Sequence, residues 1–205
     1  MPYVLRPRGL RPALAALLGA AAICAVPAAA QAACPTTATT KAFQAFGDSA
    51  DYSLVSNGAF EAGAGGWSLT GASVVSGNES YKVHGAGDAR SLALNATGQV
   101  ASPAFCVSTA NPTFRLFARR TGGTWGVLNV KLRWKDSAGN TNETVVGSVT
   151  AADTSWHPTP AFSLASVLGL WNAEQAVSAQ IVLDPEDYGG NWAIDDVYID
   201  PYARG

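Results

Sequence analysis

Val127-Leu128-Asn129-Val130-Lys131-Leu132-Arg133-Trp134-Lys135 decides the fold class. Val130, Leu132 and Trp134 alternate with Lys131, Arg133 and Lys135. A period of two places the apolar set on one face and the charged set on the other, which is the pattern of a half-buried antiparallel strand. Asp136-Ser137-Ala138-Gly139-Asn140 is a turn, and Thr144 to Val149 returns, so the pair reads as a hairpin.

Outward from this hairpin the pattern repeats in short runs between turn signals. Tyr52-Ser53-Leu54-Val55, Trp67 to Val75 with a bulge or bend expected at Gly71, Ser91 to Leu94, Phe105 to Val107 and Thr113 to Ala118 precede it. Trp156 to Pro158, Phe162 to Leu164, Ala176 to Leu183 and Trp192 to Ile199 follow. Only Val167 to Val177 has helical character, and Gly169 weakens it. With 21 Gly, 11 Pro and 14% charged residues, the chain reads as all-β, an antiparallel sandwich or barrel with a two-sheet core.

The first 32 residues stand apart. Arg6, Arg8 and Arg11 precede an apolar Ala-rich run to Ala30, and Ala30-Gln31-Ala32 offers a small-x-small cleavage site. This is the pattern of a secretory signal peptide, so the protein is expected to be secreted and to carry no membrane span after cleavage. Residues 33–51 form a lead and 52–202 the sandwich domain. Cleavage leaves ten basic against fifteen acidic residues, and no basic stripe points to nucleic acid. It also leaves two cysteines, Cys34 and Cys106, expected to form one disulfide outside the cell that ties the lead to the domain.

Two motifs lie near the ends of the domain. Asn57-Gly58-Ala59-Phe60-Glu61 is followed by Gly65-Gly66-Trp67, and Trp192-Ala193-Ile194-Asp195-Asp196-Val197-Tyr198 closes the domain. Together they resemble the jelly-roll carbohydrate-binding modules of the galactose-binding-domain-like fold. The whole chain also resembles small secreted proteins of actinobacterial type. The first resemblance implies two antiparallel sheets and, often, a structural calcium ion shared by the first and last strands. Calcium takes six to eight oxygens. Glu61 is expected on the first strand beside Phe60. Asp195 and Asp196 are expected on opposite faces of the last, so one of them shares a site with Glu61. The resemblance favours Asp196, with Asp195 the alternative, and carbonyls near Asn57 and Ala59 complete the shell.

Sugars pack C–H faces on aromatic rings and give their hydroxyls to polar neighbours. Most of the six tryptophans read as core. Trp125 in Gly122-Gly123-Thr124-Trp125-Gly126, Tyr188 after Asp187, and Tyr81 after Asn78-Glu79-Ser80 are the candidate platforms. Lys131, Arg133 and Lys135 share one side of a strand, and Arg115, Phe117 and Arg119 share one side of another. If those strands are adjacent they present five cations suited to an acidic glycan. Catalytic signals are weak: His84 and His157 are isolated, no Gly-x-Ser-x-Gly elbow occurs, and no Cys-x-x-Cys pair supports zinc. The expected protein is a monomeric, non-catalytic binding module for a polysaccharide or cell-wall glycan. A structural or adhesive surface protein is the alternative, and a small hydrolase the third reading.

Overall fold

The computed structural model describes residue 1 and residues 37–107, 113–136, 138–151, 153–164, 177–186 and 189–200. The chain divides into residues 1–30 and 31–205, and all described residues but Met1 belong to the second unit. The expected signal peptide, Cys34, Tyr188 and most of the weak helical stretch lie outside the described residues.

Eleven strands are described: β1 Ser53–Leu54, β2 Ser68–Ser76, β3 Arg90–Ala101, β4 Phe105–Val107, β5 Thr113–Gly122, β6 Val127–Lys135, β7 Thr141–Thr150, β8 His157–Pro158, β9 Phe162–Ser163, β10 Val177–Pro185 and β11 Asn191–Asp200. All pairings are antiparallel. The order is β7-β6-β10-β3-β11-β5-β8, with β2 beside β3 and β1 beside β11.

One long strand joins the two sheets of the sandwich. Leu92 to Leu94 of β3 pair with β11, while Val100 and Ala101 pair with β10. On one side lie β11, β5 and β8; on the other lie β10, β6 and β7. Their inward residues form a single core that includes Phe114, Leu116, Leu132, Ile181, Trp192 and Ile194. At roughly 1.5–3 kcal/mol per fully buried large apolar side chain, this core is the main source of stability.

Local chemistry sets the corners. Asp136 Oδ1 accepts the N–H groups of Ala138 at 3.0 Å and Asn140 at 2.9 Å, which turns β6 into β7. The β2–β3 register shifts between Thr70 and Ala72, at the expected bulge of Gly71. Gly71 has φ +60°, a conformation that favours glycine, and a Cβ there would lie 2.6 Å from Asn95 Oδ1, so the Asn95 amide would have to shift.

The lead is folded onto the sandwich. Thr40 and Tyr52 exchange backbone hydrogen bonds of 2.8 Å, and a 3₁₀ turn, Gln44–Phe46, follows Phe43. Phe43, Tyr52, Phe117, Trp156 and Tyr198 make a second apolar cluster on the outer side of β5 and β11.

Three expectations are corrected. Asn57 to Glu61 is a turn and not part of the first strand, because Asn57 and Phe60 adopt φ of 54° and 57°. Asp195 and Asp196 do not simply face opposite ways. The β5–β11 register shifts between Asp195 and Tyr198, Asp196 has φ 47°, and the alternation breaks there. Finally, β5 and β6 are not neighbours: β11, β3 and β10 separate them. The loop containing Trp125 crosses from one sheet to the other, so no five-cation face forms.

Candidate functional site

Alternation along β5 sends Phe114, Leu116 and Ala118 into the core and Arg115, Phe117, Arg119 and Thr121 outward. The lead covers one end of this outward row. Phe43 stacks on Phe117 at 5.5 Å. The Arg115 guanidinium lies 4.4 Å from the Phe43 ring centre, pairs with Asp48 at 2.7 Å and donates from Nε to the Thr159 carbonyl at 2.8 Å. Arg115 is therefore committed to holding the lead in place.

The other end is only partly covered, with Arg119 half-buried and Thr121 exposed. Arg119 lies 5.0 Å above the Trp156 ring, and its buried Nε has no hydrogen-bond partner among the described residues. Tyr81 is 49% exposed. Its hydroxyl donates to the Trp156 carbonyl at 3.3 Å, and its ring meets Phe46 edge-on at 4.8 Å. Tyr81 and Arg119 thus meet at Trp156. At the far end of the row, Thr121 borders a groove of about 380 Å³ with Gly71, Ser73, Ala93, Asn95 and Asn191. Small residues, hydroxyls and amides line it together with Leu94 and Trp192. Asn191 Oδ1 accepts the Ala96 N–H at 2.9 Å, which fixes that wall.

Trp125 is 54% exposed, in the β5–β6 loop. That loop is held against the chain beside the groove: a Cβ on Gly190 would lie 3.2 Å from the Trp125 carbonyl oxygen and 2.6 Å from that of Gly122. Arg133 is on the other sheet. It pairs with Glu143 at 2.7 Å, and its neighbour Lys131 pairs with Asp184 at 2.6 Å, so acids interleave with these cations.

A separate cluster gathers at the β11 bulge. Asp195 and Asp196 are fully buried, and Glu79 is nearly so. Asp195 accepts the N–H groups of Glu79 and Asp196, both at 2.9 Å. Asp196 Oδ2 accepts the His84 N–H at 3.1 Å, and its Oδ1 has no partner among the described residues. Glu79 accepts from Tyr81 N and Val83 N, and His84 Nδ1 lies 2.8 Å from Asp88 Oδ2. Both aspartates therefore meet one loop, which holds residues 79–88. Burial pushes Asp195 up to about 8, partly offset by the Glu79 N–H. Burial, then the neighbouring Glu79 charge, pushes Asp196 up to about 7.

The expected Glu61 pairing does not form. Its carboxylate accepts the N–H groups of Ala89 at 2.9 Å and Arg90 at 2.7 Å. Asn57 Nδ2 donates to the Gly65 carbonyl at 2.7 Å. Among the described residues, the metal-capable group brought within 4.8 Å is His84, Asp88 and Asp196. Glu79, His84 and Asp88 carried no motif in the sequence; they are more than a hundred residues from the aspartates they meet.

No family model matches the chain. No curated protein matches it. Solved structures match in fold. The CBM22-1–GH10 modules of Clostridium thermocellum endo-1,4-β-D-xylanase 10B, in complex with xylohexaose, superpose with a TM-score of 0.52 at 15% identity, over 72% of this chain and 28% of that one. The N-terminal CBM22-1–CBM22-2 tandem domain of Paenibacillus barcinonensis Xyn10C gives 0.51 at 15% identity, over 72% and 44%. This chain thus corresponds to less than half the length of either. The shared feature is the jelly-roll sandwich of carbohydrate-binding modules.

Proposed function

We propose that this chain is an exported, non-catalytic module that binds a carbohydrate polymer along the open outer face of β5. The observation that carries this reading is the row from Thr121 and its groove to Arg119, Trp156 and Tyr81. At 3.3 Å per residue, Thr121 and Arg119 lie about 7 Å apart, and the exposed rings of Trp125 and Tyr81 add to this surface. Groove hydroxyls and amides take sugar hydroxyls, and Trp125 and Tyr81 offer exposed ring faces. The Arg119 guanidinium, half-buried on this face, supplies a positive charge that suits a glycan bearing carboxylates. The likeness to a xylanase module solved with xylohexaose supports a β-linked polymer as the first ligand to test.

Burial of Asp195 and Asp196 beneath the loop of residues 79–88 supports a non-catalytic role, since a glycosidase needs its two carboxylates in an open cleft. The proposal keeps the Cys34–Cys106 disulfide as the tie between lead and domain; Cys106 sits on β4, and peptide mapping with and without reductant tests it. The functional test is retention on xylan and on a uronate-bearing glycan. Retention on either supports the reading, and passage through both removes it.

A further inference from the structure

The fold family's usual cation is calcium, and the residues at the β11 bulge fit it poorly. Calcium needs six to eight oxygens. Both oxygens of Asp195 and both of Glu79 already accept backbone N–H groups. Glu61 and Asn57, which the sequence pointed to, are engaged elsewhere.

What converges instead is a mixed donor set. One nitrogen or oxygen each from His84, Asp88 and Asp196 lies within 4.8 Å of the others. Asp196 is fully buried, yet its Oδ1 has no hydrogen-bond partner among the described residues. A buried, unpartnered carboxylate oxygen is costly unless something positive meets it. The fold spends further energy to hold it there, since Asp196 is a non-glycine residue at φ 47°. His84 is 40% and Asp88 11% exposed at the side chain, so the cluster reaches solvent on the His84 side and an ion can enter.

We propose that His84, Asp88 and Asp196 form a binding site for a divalent first-row transition ion of the zinc class. Imidazole selects such ions over calcium, and zinc is content with four nitrogen and oxygen ligands, so three side chains and a water complete its shell. The ion would join the loop of residues 79–88 to β11 and so fix the loop that carries Tyr81. The site does not depend on the glycan reading and stands or falls without it.

The chain has two histidines, which makes the test clean. Untagged protein stripped with EDTA is titrated with zinc chloride and with calcium chloride by calorimetry, and melting temperature is followed alongside. One zinc ion is expected to bind and to raise the melting temperature, with calcium giving no comparable rise. His84→Ala should weaken zinc by more than about tenfold, since even outer-shell changes cost that much. His157→Ala, which removes only the surface pair with Asp153, should leave binding unchanged. Absence of stoichiometric zinc binding by the unaltered protein overturns the site. So does a larger rise with calcium, or undiminished zinc binding by His84→Ala.

Discussion

The Gly58 carbonyl accepts the Val197 N–H at 3.1 Å, one residue beyond the left-handed Asp196. The Val197 carbonyl in turn accepts from Val55 N–H at 2.9 Å. The turn after β1 is therefore zipped to β11 at the bulge that presents both aspartates. Room for this contact exists only because residue 58 has no side chain: a Cβ would lie 2.8 Å from the Val197 carbonyl and 2.9 Å from that of Val55. Gly58→Ala should cost about 1–3 kcal/mol by overpacking, read as a lower midpoint in urea unfolding. An unchanged midpoint would mean that the clasp gives way freely.

Arg115 joins the lead to the sheet through Asp48, Thr159 and the Phe43 ring. A lysine keeps the charge but loses the fork and the flat face. Arg115→Lys should therefore destabilise by about 1–3 kcal/mol, nearly as much as Arg115→Ala. Thermal unfolding of the two variants checks this, and full rescue by lysine would show that charge alone matters.

These relationships were unevenly legible in the sequence. β6 runs from Val127 to Lys135, the span read from its apolar and charged pattern, and the bulge at Gly71 falls where a lone glycine interrupts a strand pattern. Alternation is a local signal, so local reading finds it. Asn57 to Glu61 departs from the expected strand because Asn57 and Phe60 take positive φ, which for an aromatic residue no propensity anticipates. The five-cation face failed for a topological reason: β5 and β6 are consecutive in sequence but belong to different sheets. The cluster at Asp196 was half visible. The paired aspartates stood out, whereas Glu79, His84 and Asp88 reach them only through tertiary folding.

Stability without metal should fall as pH rises. Asp195 and Asp196 have folded values near 8 and 7 against 3.8 when exposed. The folded state then holds more protons than the unfolded state between about pH 4 and 8, so stability is highest at the acidic end and is lost upward through this window. The charged groups facing the pair are Glu79, Asp88 and His84. Melting temperatures in EDTA from pH 5 to 8 should decline, and a rising curve would contradict the burial argument.

Asp196→Asn sharpens the same point. An amide keeps the acceptor for His84 N–H, places a donor where Oδ1 is unpartnered, and tolerates a left-handed backbone. In EDTA at pH 8 this variant should melt higher than the unaltered protein and show a flatter pH profile. A lower melting temperature would mean that the Asp196 charge is already compensated.

Affinity electrophoresis through gels containing xylan or a uronate-bearing glycan tests the binding row most directly. The unaltered protein should be retarded in at least one gel. Arg119→Ala and Trp125→Ala should each run substantially faster there, with the Trp125→Ala melting temperature unchanged because its ring is exposed. Equal mobility of the unaltered protein with and without every glycan, or retardation that both variants retain in full, would contradict a glycan site on the outer face of β5.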